Sequence, residues 1–253
     1  EITRYLGYSA TYHYTIMKNN PKDPYFKHFV EDIEQRYHIR VLLVDDYKEI
    51  QIILNELNSR IRSKRVFVSG AFSSFTSEIE EYSHNLSRNL ASSLLENDYR
   101  IVNGIGRRFG THLIGYANEY LAKQGVKDIE KHLIVKPFVG NTQAAAEEKY
   151  RSRKKVIGQC GTAIFVFGEM SENSSATKSG VMEEFEIACE QHKTIIPIAY
   201  PGMVSEIIWE KVKGELTRYP YLEGRIDLLT SVQSPEFLSQ IIIHILDSVQ
   251  ESM

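Results

Sequence analysis

The sequence predicts an α/β protein built on a doubly wound, Rossmann-like parallel sheet. Short runs of β-branched and aromatic residues alternate along the chain with segments of helical periodicity, an order typical of parallel sheets. Several of these runs are apolar at every position, as in strands that helices cover on both faces. Of the 253 residues, 42% are hydrophobic and 25% are charged, which is typical of globular proteins and excludes collagenous, disordered and low-complexity classes.

Residues 1–62 are expected to form a helix, a strand and a second helix. The run from Arg40 to Val44 is short and apolar, and the carboxylates of Asp45 and Asp46 behind it can accept hydrogen bonds from the free N–H groups of a helix. Because these elements are too few for a domain and residue 1 is Glu, we expect a piece of a longer chain. The helical faces are marked by Phe26, Phe29, Val30 and Ile33 before the strand, and by Ile50, Ile53, Leu54, Leu57 and Ile61 after it.

Residues 63–253 are expected to form the sheet, behind a polar and basic boundary at 59–64. Each predicted strand ends in small or polar residues, and a segment with apolar residues at helical spacing follows it. The predicted strands cover 66–70, 100–102, 132–135, 162–167 and 194–198, and the predicted helices cover 79–94, 111–123, 144–157, 181–191 and 235–250. The last helix is expected to bury Phe237, Leu238, Ile241, Ile245 and Val249.

Charge, apolar runs and cysteine content exclude several classes of protein. The formal net charge of -3 gives no electrostatic reason to expect a nucleic-acid partner, and no apolar run approaches the roughly 20 residues that span a bilayer. Cys160 and Cys189 are too few for a disulfide framework, so we expect them in the core of a cytoplasmic protein. The eight His show no metal-binding spacing, and no nucleophile or phosphate-loop motif occurs, so spacing alone predicts neither a metal site nor a catalytic constellation.

Three loops follow predicted strands at the sheet edge where open parallel sheets bind ligands. In the second loop, glycines let the backbone approach a ligand closely, the helix N-terminus behind them favours an anion, and two arginines suit phosphate. Its spacing, G-x-G-x-x-x-G, is one residue longer than the dinucleotide fingerprint, and a tight turn with solvated arginines explains it equally well. The candidate residues of the three loops are Ser69 and Gly70, then Gly104, Gly106, Arg107 and Arg108, and finally Gly168 and Gly180.

Two charged clusters offer further candidates. Arg151 shares a helix face with Lys154 and Lys155, so that face could meet a phosphate, although most basic runs of this kind are simply solvated. Glu183 and Glu184 open a helix and could accept hydrogen bonds from a ribose diol. The alternative is that these carboxylates only complement the helix dipole.

With these pieces in this order, Val66 to the C-terminus resembles the SLOG family, in its sirtuin- and TIR-associated branch. Residues 1–62 resemble the end of a sirtuin-like NADase domain, through His13 to Met17 and Tyr37 to Asp46. The combination is similar to the effectors of Thoeris antiphage systems. The SLOG likeness is carried by VFVSG at 66–70, NGIG at 103–106, YR at 150–151, AIFVFG at 163–168, SGVMEEF at 179–185 and IIPI at 195–198.

The resemblance implies a function and a set of site residues. In such effectors the SLOG domain binds a cyclic ADP-ribose isomer, made by a TIR-domain partner, and binding activates the NADase, whose substrate is NAD. Arg151 and one of Glu183 or Glu184 match the family's ligand-binding arginine and glutamate. The family's lysine after the strand ending in Gly168 is either Lys178 or missing, which leaves the identity of the cyclic nucleotide open. A homo-oligomer is also implied, a dimer through the SLOG domain and a tetramer in the parent protein, with no cofactor in this chain.

A second class of function shares the same predicted sheet. The cytokinin-activating phosphoribohydrolases carry P-G-G-x-G-T-x-x-E, whose glycines hold phosphate and whose Glu assists glycosidic cleavage. The equivalent stretch here, Lys178 to Glu184, keeps the acid but lacks the array of glycines. We therefore expect a non-catalytic sensor, with a phosphoribohydrolase-like enzyme as the alternative. A purely structural oligomerisation domain is disfavoured, because glycines and arginines cluster at the predicted strand ends.

Overall fold

The computed structural model describes residues 13–73, 76–138, 143–170 and 179–251. By its contacts the chain divides into two compact units, Glu1–Arg60 and Ile61–Met253. Within the described ranges, no helix is both long and apolar enough to cross a membrane. The assignment of residues 1–62 to a sirtuin-like domain and of residues 63–253 to a sensing domain stays a prediction.

The first unit contains one strand more than the sequence predicts. Its elements are β1 (His13–Lys18), α1 (Phe26–Tyr37), β2 (Ile39–Val44) and the start of α2 (Tyr47–Ser63). β1 pairs with β2 in parallel, from His13 opposite Ile39 to Lys18 opposite Val44. The predicted helix, strand and helix are confirmed, but β1 precedes them. Its sequence, HYTIMK, is neither an apolar run nor a strict alternation, so only its pairing with β2 identifies it as a strand.

Three side chains that were expected on buried helix faces are exposed. Phe29 in α1 is 51% exposed, and Leu54 and Ile61 in α2 are 52% and 47% exposed. Among the described residues of the first unit, only Val44 is a fully buried hydrophobic side chain. The amphipathic stripes lie on helices as predicted, but the two described strands offer too little surface to cover them.

The second unit contains a five-stranded parallel sheet with the order β5-β4-β3-β6-β7. Its strands are β3 (Arg65–Ser69), β4 (Arg100–Asn103), β5 (Leu133–Val135), β6 (Thr162–Val166) and β7 (Thr194–Ile198). The chain proceeds outward from β3 through β4 to β5, then crosses to β6 on the other side. The strand order therefore reverses between β3 and β6, and a crevice forms at their carboxyl ends. The predicted Rossmann-like fold is confirmed.

Helices lie on both faces of this sheet. They are α3 (Ser77–Glu96), α4 (Phe109–Lys123), α5 (Gln143–Ile157), α6 (Gly180–Glu190), α7 (Val204–Gly214) and α8 (Pro235–Glu251). α3 packs against α4 and α8, whereas α6 packs against α5 and α7. α7 was not predicted, although Val204, Ile208 and Val212 are buried at the i, i+4, i+8 spacing of one helical face.

The last helix buries a slightly different face from the predicted one. Leu238, Ile241 and Ile245 are buried as expected, but Phe237 is 40% exposed and Val249 is only partly buried. At about 100° per residue, Phe237 lies at the edge of the face centred on Leu238.

The expectation that both cysteines lie in the core is met in part. Cys160 is buried, and Cys189 is partly buried against the core.

Candidate ligand-binding site

A cavity of about 570 Å³ lies at the carboxyl ends of β3 and β4, beside the N-termini of α4 and α6. This volume falls in the range of about 300–1,000 Å³ that is usual for small-molecule sites. Both helix N-termini direct free N–H groups toward that end of the sheet, which favours an anionic ligand. The residues of the three predicted loops and the acidic cluster that line it are Ser69, Gly70, Gly104, Gly106, Arg107, Gly180 and Glu184.

Two glycines permit the close approaches that shape this cavity. A Cβ on Gly106 would lie 2.0 Å from the carbonyl oxygen of Gly70, so the loops after β3 and β4 touch backbone to backbone. A Cβ on Gly180 would lie 2.7 Å from Nη2 of Arg153. The absence of side chains at these positions therefore lets one loop pack on another and lets a guanidinium lie over the start of α6.

A buried network of charges joins three elements at the floor of the cavity. Arg153, on α5, donates from Nε to Oε1 of Glu184 at 3.0 Å and from Nη1 to Oε2 of Glu183. Ser69, at the end of β3, donates from Oγ to Oε2 of Glu184 at 2.6 Å. The Arg153 guanidinium also lies 5.4 Å from the ring centroid of Phe138. Arg153 and Glu184 are 7% and 8% exposed, so their charges interact with little screening by water.

Burial sets the ionisation of the central carboxyl group. It raises the pKa of Glu184 above the ordinary value, because loss of hydration disfavours the carboxylate more than the Arg153 guanidinium and the Ser69 hydroxyl favour it. Since two carboxylates face Arg153, the positive charge available to a ligand comes from other groups that line the cavity. These are the Arg107 and Lys149 side chains, together with the two helix N-termini.

The loop after β4 is fixed by Asn103, which is almost completely buried. Its Nδ2 donates to the carbonyl oxygen of Val68 at 2.8 Å, and its Oδ1 accepts from the N–H of Ile105 at 2.7 Å. Ile105 and Arg108 have φ angles of 58° and 56°, a region that non-glycine residues rarely adopt. Strained backbone of this kind is concentrated at binding sites, where the surrounding structure holds it in place.

Comparison with known proteins agrees with this arrangement. The family model described as the Sir2- and TIR-associating SLOG family matches residues 49–249. The chain belongs to this family. It is also 30% identical over 215 residues to a protein named NAD(+) hydrolase ThsA from Bacillus cereus (strain MSX-D12), an alignment that covers 83% of this chain and 44% of the relative.

Relatives with the same name occur in other bacteria. The NAD(+) hydrolase ThsA of Enterococcus faecium is 30% identical over 191 residues, covering 73% of this chain and 38% of the relative. The NAD(+) hydrolase ThsA of Cytobacillus dafuensis is 27% identical over 197 residues, covering 73% of this chain and 39% of the relative. The chain thus spans less than half the length of these curated relatives. The resemblance to a SLOG protein of this kind is confirmed.

The structure places Arg153 in the lining of the cavity, whereas the assignment of Arg151 by the SLOG resemblance stays a prediction. Arg151 does not line the cavity: its side chain is 79% exposed and lies 3.4 Å from Oε2 of Glu147, also on α5. Arg153, two residues later, turns inward instead. It precedes the buried Val156 and Ile157 by three and four residues, which places it on their face of the helix. This helical spacing between Arg153 and two apolar residues is visible in the sequence, and it would have identified Arg153 as the arginine that faces inward.

Four other predicted residues lie outside the lining of the cavity or beyond the described chain. Arg108 points to Glu80, with Nη1 3.2 Å from Oε1. Gly168 packs against other elements, since a Cβ there would lie 2.8 Å from Cβ of Val204. Glu183 is joined to the site by its pairing with Arg153. Lys178 lies outside the described residues. The lining also includes Asn103 and Glu169, which belong to the second and third predicted loops. Lining residues that the sequence did not single out include Phe138, Lys149 and Arg153.

Proposed function

We propose that the second unit is the ligand-sensing domain of a Thoeris-type antiphage effector and that its cavity binds a cyclic ADP-ribose isomer. The observation that carries the proposal is the buried Ser69–Glu184–Arg153 network at the point where the strand order reverses. A binding site at that point is the rule for open parallel sheets. Membership of the SLOG family supports the same function.

The chemistry of the cavity suits the two polar parts of such a ligand. A carboxylate offers about four acceptor positions, and Ser69 and Arg153 each occupy one on Glu184, so a ribose diol can donate to the rest. The diphosphate would lie against the N-termini of α4 and α6, where Arg107 and Lys149 add positive charge. In this proposal Arg153 positions Glu184 and takes the place that the resemblance assigned to Arg151.

The proposal extends to the parent protein, of which this chain would be a part. The relatives carry the name NAD(+) hydrolase and are more than twice as long as the aligned region. Residues 1–62 would be the end of the sirtuin-like domain that hydrolyses NAD once the cyclic nucleotide, made by a TIR-domain protein, is bound. This chain alone would not hydrolyse NAD. The parent would be a cytoplasmic homo-oligomer, with the SLOG domains forming dimers.

One observation favours the alternative, a phosphoribohydrolase-like enzyme that cleaves a nucleotide. A carboxyl group with a raised pKa in a nucleotide-sized cavity is suited to protonate the leaving group of a glycosidic bond. Glu184 is such a group. Sensing and catalysis differ in one measurable respect, which is whether the bound nucleotide is recovered intact.

Calorimetric titration with a set of cyclic ADP-ribose isomers, with linear ADP-ribose and AMP for comparison, tests the proposal. We expect one isomer to bind at one molecule per chain and to be recovered uncleaved by mass spectrometry. Glu184→Gln should weaken binding, whereas Glu186→Gln, at an exposed position of the same helix, should not. Release of a base and a ribose phosphate would establish the alternative. Failure of the folded protein to bind any of the isomers would refute sensing.

A further inference from the structure

A second cluster of polar side chains lies between α3 and α4, outside the cavity. Glu80 and His84 are four residues apart on one face of α3, and His112 faces them from the first turn of α4. The two imidazole rings stack with their centroids 3.8 Å apart. The side chains of Glu80, His84 and His112 are 24%, 42% and 13% exposed, so the cluster lies at the base of an open surface site.

The distances within this cluster are close to those of a metal coordination shell. Oε1 of Glu80 lies 3.5 Å from Nε2 of His112 and 3.8 Å from Nε2 of His84. One ligand atom from each of the three residues lies within 4.8 Å of the others. In a tetrahedral zinc site with bonds of about 2.0–2.2 Å, neighbouring ligand atoms are separated by about 3.3–3.6 Å. To direct both Nε2 lone pairs at one ion, the two rings would have to turn out of their stacked arrangement, in which their planes are 21° apart.

The outer ring nitrogens already have the partners that metal-binding histidines require. Nδ1 of His112 lies 3.0 Å from Oγ of Ser83, and Nδ1 of His84 lies 3.1 Å from the hydroxyl of Tyr116. If each Nδ1–H donates to its hydroxyl oxygen, each Nε2 presents a lone pair toward Glu80. Hydrogen bonds of this kind orient ligating imidazoles and fix their tautomer in metalloproteins.

The carboxylate of Glu80 has an oxygen atom that could bind a cation. Its Oε2 is buried and accepts no hydrogen bond from the described residues, an arrangement that costs free energy. Its Oε1 accepts from Nη1 of Arg108 at 3.2 Å. A divalent ion bound by Glu80 would neutralise the carboxylate, with Arg108 as the group that competes for it.

We propose that Glu80, His84 and His112 form a zinc site, with a water molecule at the fourth position, that fastens α3 to α4. Two imidazoles and one carboxylate are a ligand set that zinc prefers, and three protein ligands with one open position are its usual arrangement at accessible sites. The histidines come from different helices, so their spacing in the sequence gives no metal motif. This site is separate from the nucleotide cavity, and its test does not depend on the proposed function.

Titration of the chelator-treated full chain with Zn²⁺, in competition with a chromophoric chelator, tests this proposal. We expect one tight site per chain and a rise in the melting temperature as the site fills. Tyr116→Phe keeps all three ligands but removes one orienting partner, so it should weaken binding by about 10- to 100-fold. His112→Ala and His84→Ala should weaken binding more, and His244→Ala, at an exposed position of α8, should leave it unchanged.

Substitution with Co²⁺ identifies the ligand atoms. A nitrogen and oxygen ligand set should give visible d–d absorption without the near-ultraviolet charge transfer of a thiolate. Arg108→Gln should strengthen binding, because the competing guanidinium is removed. Thiolate absorption, loss of the site in Cys189→Ser, or unchanged affinity in the histidine variants would each overturn the proposal.

Discussion

Oγ of Ser69, the last residue of β3, donates a 2.6 Å hydrogen bond to Oε2 of Glu184 in the first turns of α6. The two residues are 115 positions apart in the sequence. This bond fastens the start of α6 to the centre of the sheet, and Arg153 fastens α5 to the same carboxyl group. The groups proposed to meet the ligand therefore also hold the second unit together, so substitutions there should change both binding and stability.

Ser69→Ala removes the hydroxyl donor without adding volume. A hydrogen bond to a charged group contributes about 1.5–3 kcal/mol, so the free energy of unfolding should fall by about that amount. Urea unfolding followed by circular dichroism gives the difference. Ser92→Ala is the matched control, since among the described residues the Ser92 hydroxyl donates to carbonyl oxygens of its own helix. Equal stability of the two variants would show that the Ser69–Glu184 bond contributes nothing net.

Arg153 and Arg151 form a second matched pair, two residues apart on α5. Arg153→Met leaves Glu184 buried without its cation and should cost about 3–5 kcal/mol of stability. Arg151→Ala removes an exposed side chain and should change stability by about 0.5 kcal/mol or less. Binding of the cyclic nucleotide should fall strongly in the first variant and stay near the original value in the second, as measured by calorimetry.

A double variant separates loss of the ion pair from loss of packing at Arg153. Adding Glu184→Gln to Arg153→Met removes the uncompensated buried carboxylate, so part of the lost stability should return. If the double variant is less stable than Arg153→Met alone, the cost came from packing against Phe138 rather than from the buried charge.

The raised pKa of Glu184 makes stability depend on pH. A carboxyl group whose pKa is higher in the folded than in the unfolded chain stabilises the fold fully below its ordinary value of 4.5. That contribution is lost as the pH rises through the folded-state pKa. As the pH rises above about 4.5, the original protein should therefore lose stability relative to Glu184→Gln. Urea unfolding at several pH values measures this difference, with Glu186→Gln to correct for effects common to the helix.

The sequence predicted those elements whose own residues show the apolar pattern of a strand or a helix. β6, for example, is apolar at nearly every position, and all of its residues are buried. β1 and α7 were missed for different reasons. β1 depends on its partner strand, whereas no helix was predicted between β7 and the last helix, although Val204, Ile208 and Val212 lie on one face of α7.

The lining of the cavity was predictable where the position of the backbone determines it. It was less predictable where the direction of a side chain determines it. The glycines Gly70, Gly104, Gly106 and Gly180 all lie where the strand-end rule placed them. The choice between Arg151 and Arg153 depends instead on which face of α5 meets the sheet. A contact such as Ser69 to Glu184 joins residues from distant parts of the chain, and no pattern in either local segment indicates it.

Gly106→Ala and Gly115→Ala should change stability in opposite directions. At Gly106 the new methyl group would lie 2.0 Å from the carbonyl oxygen of Gly70, and neither loop can retreat without moving the lining of the cavity. We expect the free energy of unfolding to fall by about 1–3 kcal/mol and nucleotide binding to be lost. At Gly115, within α4, a Cβ meets no atom within 4 Å, so Ala should stabilise the helix by about 0.5–1 kcal/mol and leave binding intact. Melting temperatures and calorimetric titrations of both variants provide the comparison. Normal binding by Gly106→Ala would mean that the loops after β3 and β4 can separate, and that their close packing does not form the ligand site.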